Sequence, residues 1–128
     1  IKSAMNPVDY PRAAGVKDIN VALKVFHTLK IAKKYNIPLE ARTTVVPELS
    51  DDIKQIRAIG YQLAYYADEY HLQQFDPTNA LDPELRDCPF TKKSDLEMLA
   101  FAARGGGFDN VFIKTKEDGL EEAFKVSR

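Results

Sequence analysis

What most limits the folds open to this chain is an alternation. Short runs rich in β-branched and aromatic residues are separated by stretches whose apolar residues recur every three to four positions. Val21, Ala22, Val25, Phe26, Leu29 and Ala32 form one helical stripe, with Lys24, Lys30, Lys33 and Lys34 away from it and Asp18 or Asn20 placed to cap it. Asn36 and Pro38 end that helix. Residues 39–46 then read as a strand, Leu39, Ala41, Thr43 and Val45 on one face and Glu40, Arg42, Thr44 and Val46 on the other. Ser50 is expected to cap the next helix, with Asp51 and Asp52 in its first turn and Ile53, Ile56, Gly60, Leu63, Ala64 and Ala67 on its buried side. Gly60 reads as a point of close packing against the sheet.

Farther on, Tyr70 to Phe75 reads as a strand, and Asp76 to Thr91, with three prolines, as a long irregular stretch. Ser94-Asp95-Leu96-Glu97 has the spacing of a capping box that opens a helix over Leu96, Leu99, Ala100 and Ala103, stopped by Gly105-Gly106-Gly107. Asn110 to Thr115 is a strand, and Asp118 to Val126 predicts a last amphipathic helix. Before all of these, residues 4–19 form a loop with a helical turn near Asp9 to Ala14.

Strands alternating with helices predict an α/β fold with parallel strands and right-handed crossovers. A doubly wound sheet, covered on both faces, wants continuously apolar strands, whereas a wide barrel holding a ligand tolerates Glu40, Arg42, Thr44, His71 or Gln74 pointing inward. The polar strands therefore favour a piece of a (β/α) barrel. With 128 residues the chain is read as one domain, 1–128.

Charge and cysteine content narrow the function. A formal net charge of -1, with basic residues scattered among acids, gives no footprint for nucleic acid or an acidic membrane surface. One cysteine, Cys88, cannot make an internal disulfide or supply an iron–sulfur or multi-cysteine zinc site alone, and a cytoplasmic location is the plain expectation. No apolar run approaches membrane-spanning length and no secretion signal is recognisable. Ile1-Lys2-Ser3 reads either as the start of a chain that begins partway through something larger or as a processed or engineered terminus.

Arg42 is the residue that asks for a reason. On a strand among β-branched neighbours it either presents its fork to an anion near the C-terminal ends of the strands or pairs internally with Glu40 two residues away. Spacing alone favours the ion pair. Of Gln73 and Gln74, which point to opposite faces, one is expected to be buried and hydrogen-bonded. His27, His71 and Cys88 read as structural or free, without metal or nucleophile spacing. No catalytic residue emerges from these patterns.

At Leu39-Glu40-Ala41-Arg42-Thr43-Thr44-Val45-Val46-Pro47, followed by Tyr70-His71-Leu72-Gln73-Gln74-Phe75, the chain resembles the C-terminal half of radical S-adenosylmethionine activating enzymes. The likeness is closest to the anaerobic ribonucleotide reductase activating proteins and more distant to pyruvate formate-lyase activating enzyme. Ile1-Lys2-Ser3 resembles the end of their Asp-Ile-Lys strand, and Tyr10 to Lys17 the loop after it.

The resemblance implies a partial (β/α) barrel whose N-terminal half, absent here, carries a C-x3-C-x2-C loop for a [4Fe–4S] cluster. The cluster cleaves S-adenosylmethionine reductively, and the resulting radical takes hydrogen from a glycine of a partner glycyl radical enzyme of ribonucleotide reductase or pyruvate formate-lyase type. Carried over by position, Lys2 contacts the methionyl carboxylate, Arg42 reaches the cofactor from inside the barrel, and Gln74 lines the same cavity. Three departures stand out: there are no cluster cysteines, no aspartate precedes Ile1, and Glu48 stands where a glycine follows the proline. A fragment of such an enzyme, inactive alone and self-associating through raw sheet edges, is the leading expectation. A non-enzymatic α/β module that binds a small ligand or partner protein is the alternative.

Overall fold

The computed structural model describes residues 1–124. Its elements are α1 (Asp9–Ala14), α2 (Val21–Lys34), β1 (Glu40–Val45), α3 (Ile53–Leu63), β2 (Glu69–Gln74), α4 (Lys93–Gly106), β3 (Val111–Thr115) and β4 (Gly119–Glu122), with 3-10 turns at Pro77–Asn79 and Pro83–Asp87. β1, β2 and β3 lie side by side in chain order and run parallel, and β4 joins the far edge antiparallel. The fold is α/β with a mostly parallel four-stranded sheet.

Strand order that advances without reversal has a consequence for the layers. Successive right-handed crossovers then return on the same side of the sheet. The core bears this out: Ala22 and Leu29 of α2, Ile56, Ile59 and Leu63 of α3, and Leu96, Leu99, Ala100 and Ala103 of α4 all join Ala41, Val45, Tyr70, Leu72, Val111 and Ile113 in one buried cluster. The opposite strand face carries Glu40, Arg42 and Thr44 beside Glu69, His71 and Gln73, then Phe112 and Lys114, then Leu120 and Glu122. Most of these side chains are exposed. Parallel sheets are ordinarily covered on both faces, so a polar, helix-free face is the feature that positions the candidate site.

Local chemistry explains the element ends, in places against expectation. Asp52, not Ser50, caps α3 by accepting from the Lys54 backbone N–H. Ser50 Oγ instead accepts from Val46 N at 2.7 Å and donates to Thr44 O at 2.8 Å, tying the turn to the strand it leaves. The Ser94 capping box does not form, because α4 already starts at Lys93 and no side chain caps it. Lys93 pairs with Asp118 and Glu121 instead, which raises its pKa through those two hydrogen bonds. Asn20 stands at the start of α2 without a side-chain cap, and Asp18 accepts from the Asn20 N–H and pairs with Lys24.

Two glycines serve close packing of helices. A Cβ on Gly60 would lie 2.5 Å from the Ala103 carbonyl oxygen, so Gly60 packs against α4 and not, as expected, against the sheet. Reciprocally, a Cβ on Gly106 would lie 2.2 Å from the Arg57 carbonyl oxygen of α3. The glycine run therefore stops the helix only at Gly107, after Gly105 and Gly106 have continued it.

The largest correction concerns the last helix. Asp118 to Phe124 holds a hairpin end and β4, with Thr115 opposite Gly119 and Phe112 opposite Glu122; Lys125 and Val126 lie outside the described residues. An Asp-Gly pair with Gly119 at φ 69° is hairpin chemistry, and it outweighs the weak helical spacing that follows. In α3, Ile53 is exposed and Ile59 is buried, a rotation of the expected stripe toward α4. The α2 and α4 stripes lie where their spacing put them.

Candidate functional site

β1 and β2 pair with Arg42 opposite His71 and Glu40 opposite Glu69, and β3 adds Phe112 beside His71. Alternation therefore gathers two carboxylates, a guanidinium, an imidazole and a phenyl ring on the helix-free face. The Arg42 side chain is 59% exposed, and its Nε donates to Glu40 Oε1. Its terminal amino groups have no hydrogen-bond partner among the described residues. The internal ion pair and the anion-facing fork, read from the sequence as alternatives, are geometrically compatible.

His71 is the contrast. Its side chain is only 5% exposed although it lies on the open face. Nε2 is hydrogen-bonded to Glu69 Oε2 at 2.9 Å, Nδ1 lies 3.0 Å from Glu40 Oε1, and the ring rests 5.0 Å from that of Phe112. Glu40 Oε1 is thus touched by both Arg42 and His71. The Glu40 carboxyl is held below the usual range, first by the hydrogen bond from Arg42 and then by the positive charges around it. Ligand atoms of Glu40, Glu69 and His71 fall within 4.8 Å of one another, a spacing a divalent cation can bridge. Arg42 and Lys114 already offset the Glu40 carboxylate, however, and both ring nitrogens of His71 lie against carboxylate oxygens. Two hydrogen bonds, Arg42–Glu40 and His71–Glu69, joined by His71 Nδ1 at ion-pair distance from Glu40, describe the group better than an ion site.

Lys2 is exposed, and the main chain brings it to the outer edge of β1. The Ile1 amino group donates to Arg42 O at 2.6 Å, and the Thr43 hydroxyl donates to Ile1 O at 2.6 Å. Thr43 Oγ1 also meets the Tyr70 hydroxyl at 2.7 Å, and burial pushes the Tyr70 phenol well above its ordinary value. The Ile1 bonds set residue 1 against the Arg42 main chain and the helix-side Thr43 hydroxyl, and no described contact joins the Lys2 side chain to that of Arg42.

Gln74 is not part of that group. Its register partner is Val45, and both belong to the helix-facing set. Gln74 Nε2 donates to Thr91 O at 2.8 Å and its Oε1 accepts from the Lys116 N–H at 3.0 Å. Gln73 is the glutamine that shares the face of Arg42, and neither side chain is fully buried.

Around Gln74 stands a network that sequence reading missed. Buried Thr91 Oγ1 donates to Val45 O at 2.5 Å and accepts from the Phe75 N–H at 3.3 Å. With Gln74 it joins the C-terminal ends of β1, β2 and β3, and fastens the end of the 76–91 stretch to the sheet. On the opposite side, Gln55 and Gln62 of α3 accept from the Ala4 and Met5 N–H groups and so fasten the N-terminal loop. Only the threonine and glutamine spacings could have signalled these links, and neither is distinctive. His27 is exposed and Cys88 half-buried, neither near the group around Arg42 in any described contact.

No helix among the described residues is long and apolar enough to cross a membrane. No family model matches the chain, and no solved structure does. Among curated proteins it is similar to a "putative glycyl-radical enzyme activating enzyme" of Methanocaldococcus jannaschii, 35% identical over 94 residues. The match covers 72% of this chain and 37% of that relative's length. The similarity is to a protein named as a glycyl-radical enzyme activating enzyme, and this chain spans little more than a third of that protein's length.

Proposed function

We propose that this chain supplies part of the S-adenosylmethionine site of an enzyme that activates a glycyl radical enzyme, within the wall of a partial (β/α) barrel. The observation that carries the reading is Arg42: a guanidinium on the helix-free face of a parallel sheet, with its terminal amino groups open to an anion. A bidentate charge-assisted pair with a carboxylate suits that geometry. Lys2, at the same strand edge, is proposed to share the methionyl carboxylate. Gln74 is proposed to act at the C-terminal strand ends, holding the rim of the site rather than lining it beside Arg42.

The cluster is a different matter. One cysteine cannot ligate a [4Fe–4S] centre, so the residues present fit the S-adenosylmethionine carboxylate and not the cluster. The chemistry such a cluster supplies is reductive cleavage of S-adenosylmethionine, and this chain's own residues would bind and orient the substrate. The partner glycyl radical enzyme, the cytoplasmic location and docking through the 76–91 stretch belong to the same proposal.

Two experiments test it. Titration of S-adenosylmethionine into the chain should show binding that Arg42→Ala weakens about tenfold or more, the loss expected for one charged hydrogen-bonding partner. No effect of Arg42→Ala would remove the reading. Given reductant, iron, sulfide and S-adenosylmethionine, the chain alone should yield no 5′-deoxyadenosine; its formation would overturn the division of labour.

A further inference from the structure

We infer that Glu40, His71 and Glu69 are positioning residues for Arg42, forming a brace across β1 and β2 that aims its guanidinium at the anionic ligand. The inference rests on the anion-binding role proposed for Arg42 and names the machinery behind it. An arginine that is 59% exposed has many rotamers, and ordering it on ligand binding costs side-chain entropy. Here one end of the fork is already occupied, because Nε is bound to Glu40 Oε1. That leaves the two terminal nitrogens as the free, outward pair.

Glu40 alone would be a loose support, being an exposed carboxylate on an edge strand. The same oxygen lies 3.0 Å from His71 Nδ1, and His71 is the most constrained polar side chain on the face. Its ring is fixed from the far side by the Glu69 bond to Nε2 and from β3 by Phe112 at 5.0 Å. The chain of contacts therefore runs from a buried ring on the central strand to an exposed fork on β1. Lys114, whose charge also acts on Glu40, is the remaining basic group facing it among the described residues.

The alternation of the strands makes this arrangement possible. Glu40 and Arg42 are two residues apart on one face, as are Glu69 and His71, and the register sets the two pairs opposite each other. A slip of one residue in either strand would turn its pair to the helix side.

The test separates the brace from the ligand. In the whole chain labelled with 15N, the Arg42 Nε–H should give a distinct, slowly exchanging signal at pH 6 without any ligand. His71→Phe, which keeps a ring against Phe112, and Glu40→Ala should both speed its exchange about tenfold or more and weaken S-adenosylmethionine binding by a similar factor. Glu122→Gln, on the same face but outside the brace, should change neither, and circular dichroism melting confirms that each variant is folded. An Arg42 Nε–H that exchanges as fast as a free arginine, or that neither variant alters, overturns the brace. A protected signal lost in both variants, in a chain that binds no S-adenosylmethionine, upholds the brace and removes that ligand from the proposed function.

Discussion

Glu48 holds φ at 68°, in the left-handed region where a side chain meets the backbone unfavourably. The resemblance noted in the sequence predicts glycine at this place, and the backbone here takes the conformation that glycine favours. Glu48→Gly should therefore stabilise the chain, by about 1 kcal/mol once the larger unfolded-state entropy of glycine is deducted. Urea unfolding should show the midpoint rise with the slope unchanged; a fall would mean that the Glu48 side chain makes a compensating contact.

Thr91 argues the other way at the same scale. Thr91→Val keeps the shape but leaves the Phe75 N–H and the Val45 carbonyl without their hydroxyl partner. A loss of about 1–3 kcal/mol is expected from such a buried deletion, read as a lower denaturant midpoint. Glu40 supplies a pH signature. Its folded pKa is depressed, first by the hydrogen bond from Arg42, so its stabilisation is present above the unfolded carboxyl value and is lost as pH falls through the folded one. The difference in melting temperature between the wild type and Glu40→Gln should be visible at pH 7 and shrink steadily as pH falls below the ordinary glutamate range.

At the scale of elements, the α3–α4 contact decides the shape of the helical layer. Gly60 and Gly106 let the two backbones meet at distances a methyl group would forbid. Gly106→Ala should cost about 1–3 kcal/mol or more through overpacking, because the opposing atom is a main-chain oxygen that cannot swing away. Exposed Gly105, whose added Cβ would meet nothing closer than 4.0 Å, is the matched control and should accept alanine without loss. Thermal melts of the pair check this; equal behaviour would show that the helices can slide apart freely. The β4 hairpin belongs to this scale as well, since Lys93 at the start of α4 reaches across to Asp118 and Glu121 and pins the edge strand to the helical layer.

For the whole molecule, the sheet ends in exposed edges. Among the described residues β4 has no strand on its outer edge and Leu120 is half-exposed, and the outer edge of β1 is met near Arg42 and Thr43 by Ile1. Together with the helix-free face, these surfaces predict concentration-dependent self-association, since unpaired strand edges template further pairing. Sedimentation velocity across a hundredfold concentration range should show the average mass rising, and Leu120→Lys should reduce it. A single monomeric species throughout would show that the acidic side chains of β4 protect the edge unaided.

By itself the sequence determined the α/β class, the parallel pairing implied by helices between strands, the apolar stripes of α2 and α4, and the side of β1 that bears Glu40, Arg42 and Thr44. These follow from periodicities local to each segment, where 3.6 and 2.0 residues per repeat leave little choice. It did not determine the hairpin after β3, where a two-residue turn signal competed with a short apolar pattern, or the cap of α3, where three adjacent residues could each accept a hydrogen bond. Only the tertiary structure decided that Arg42 and His71 stand opposite each other, that Gln74 belongs to the other face, and that Thr91 fastens three strand ends. Each of these depends on register between segments tens of residues apart, and register is set by packing and pairing of the whole sheet, which no local spacing records.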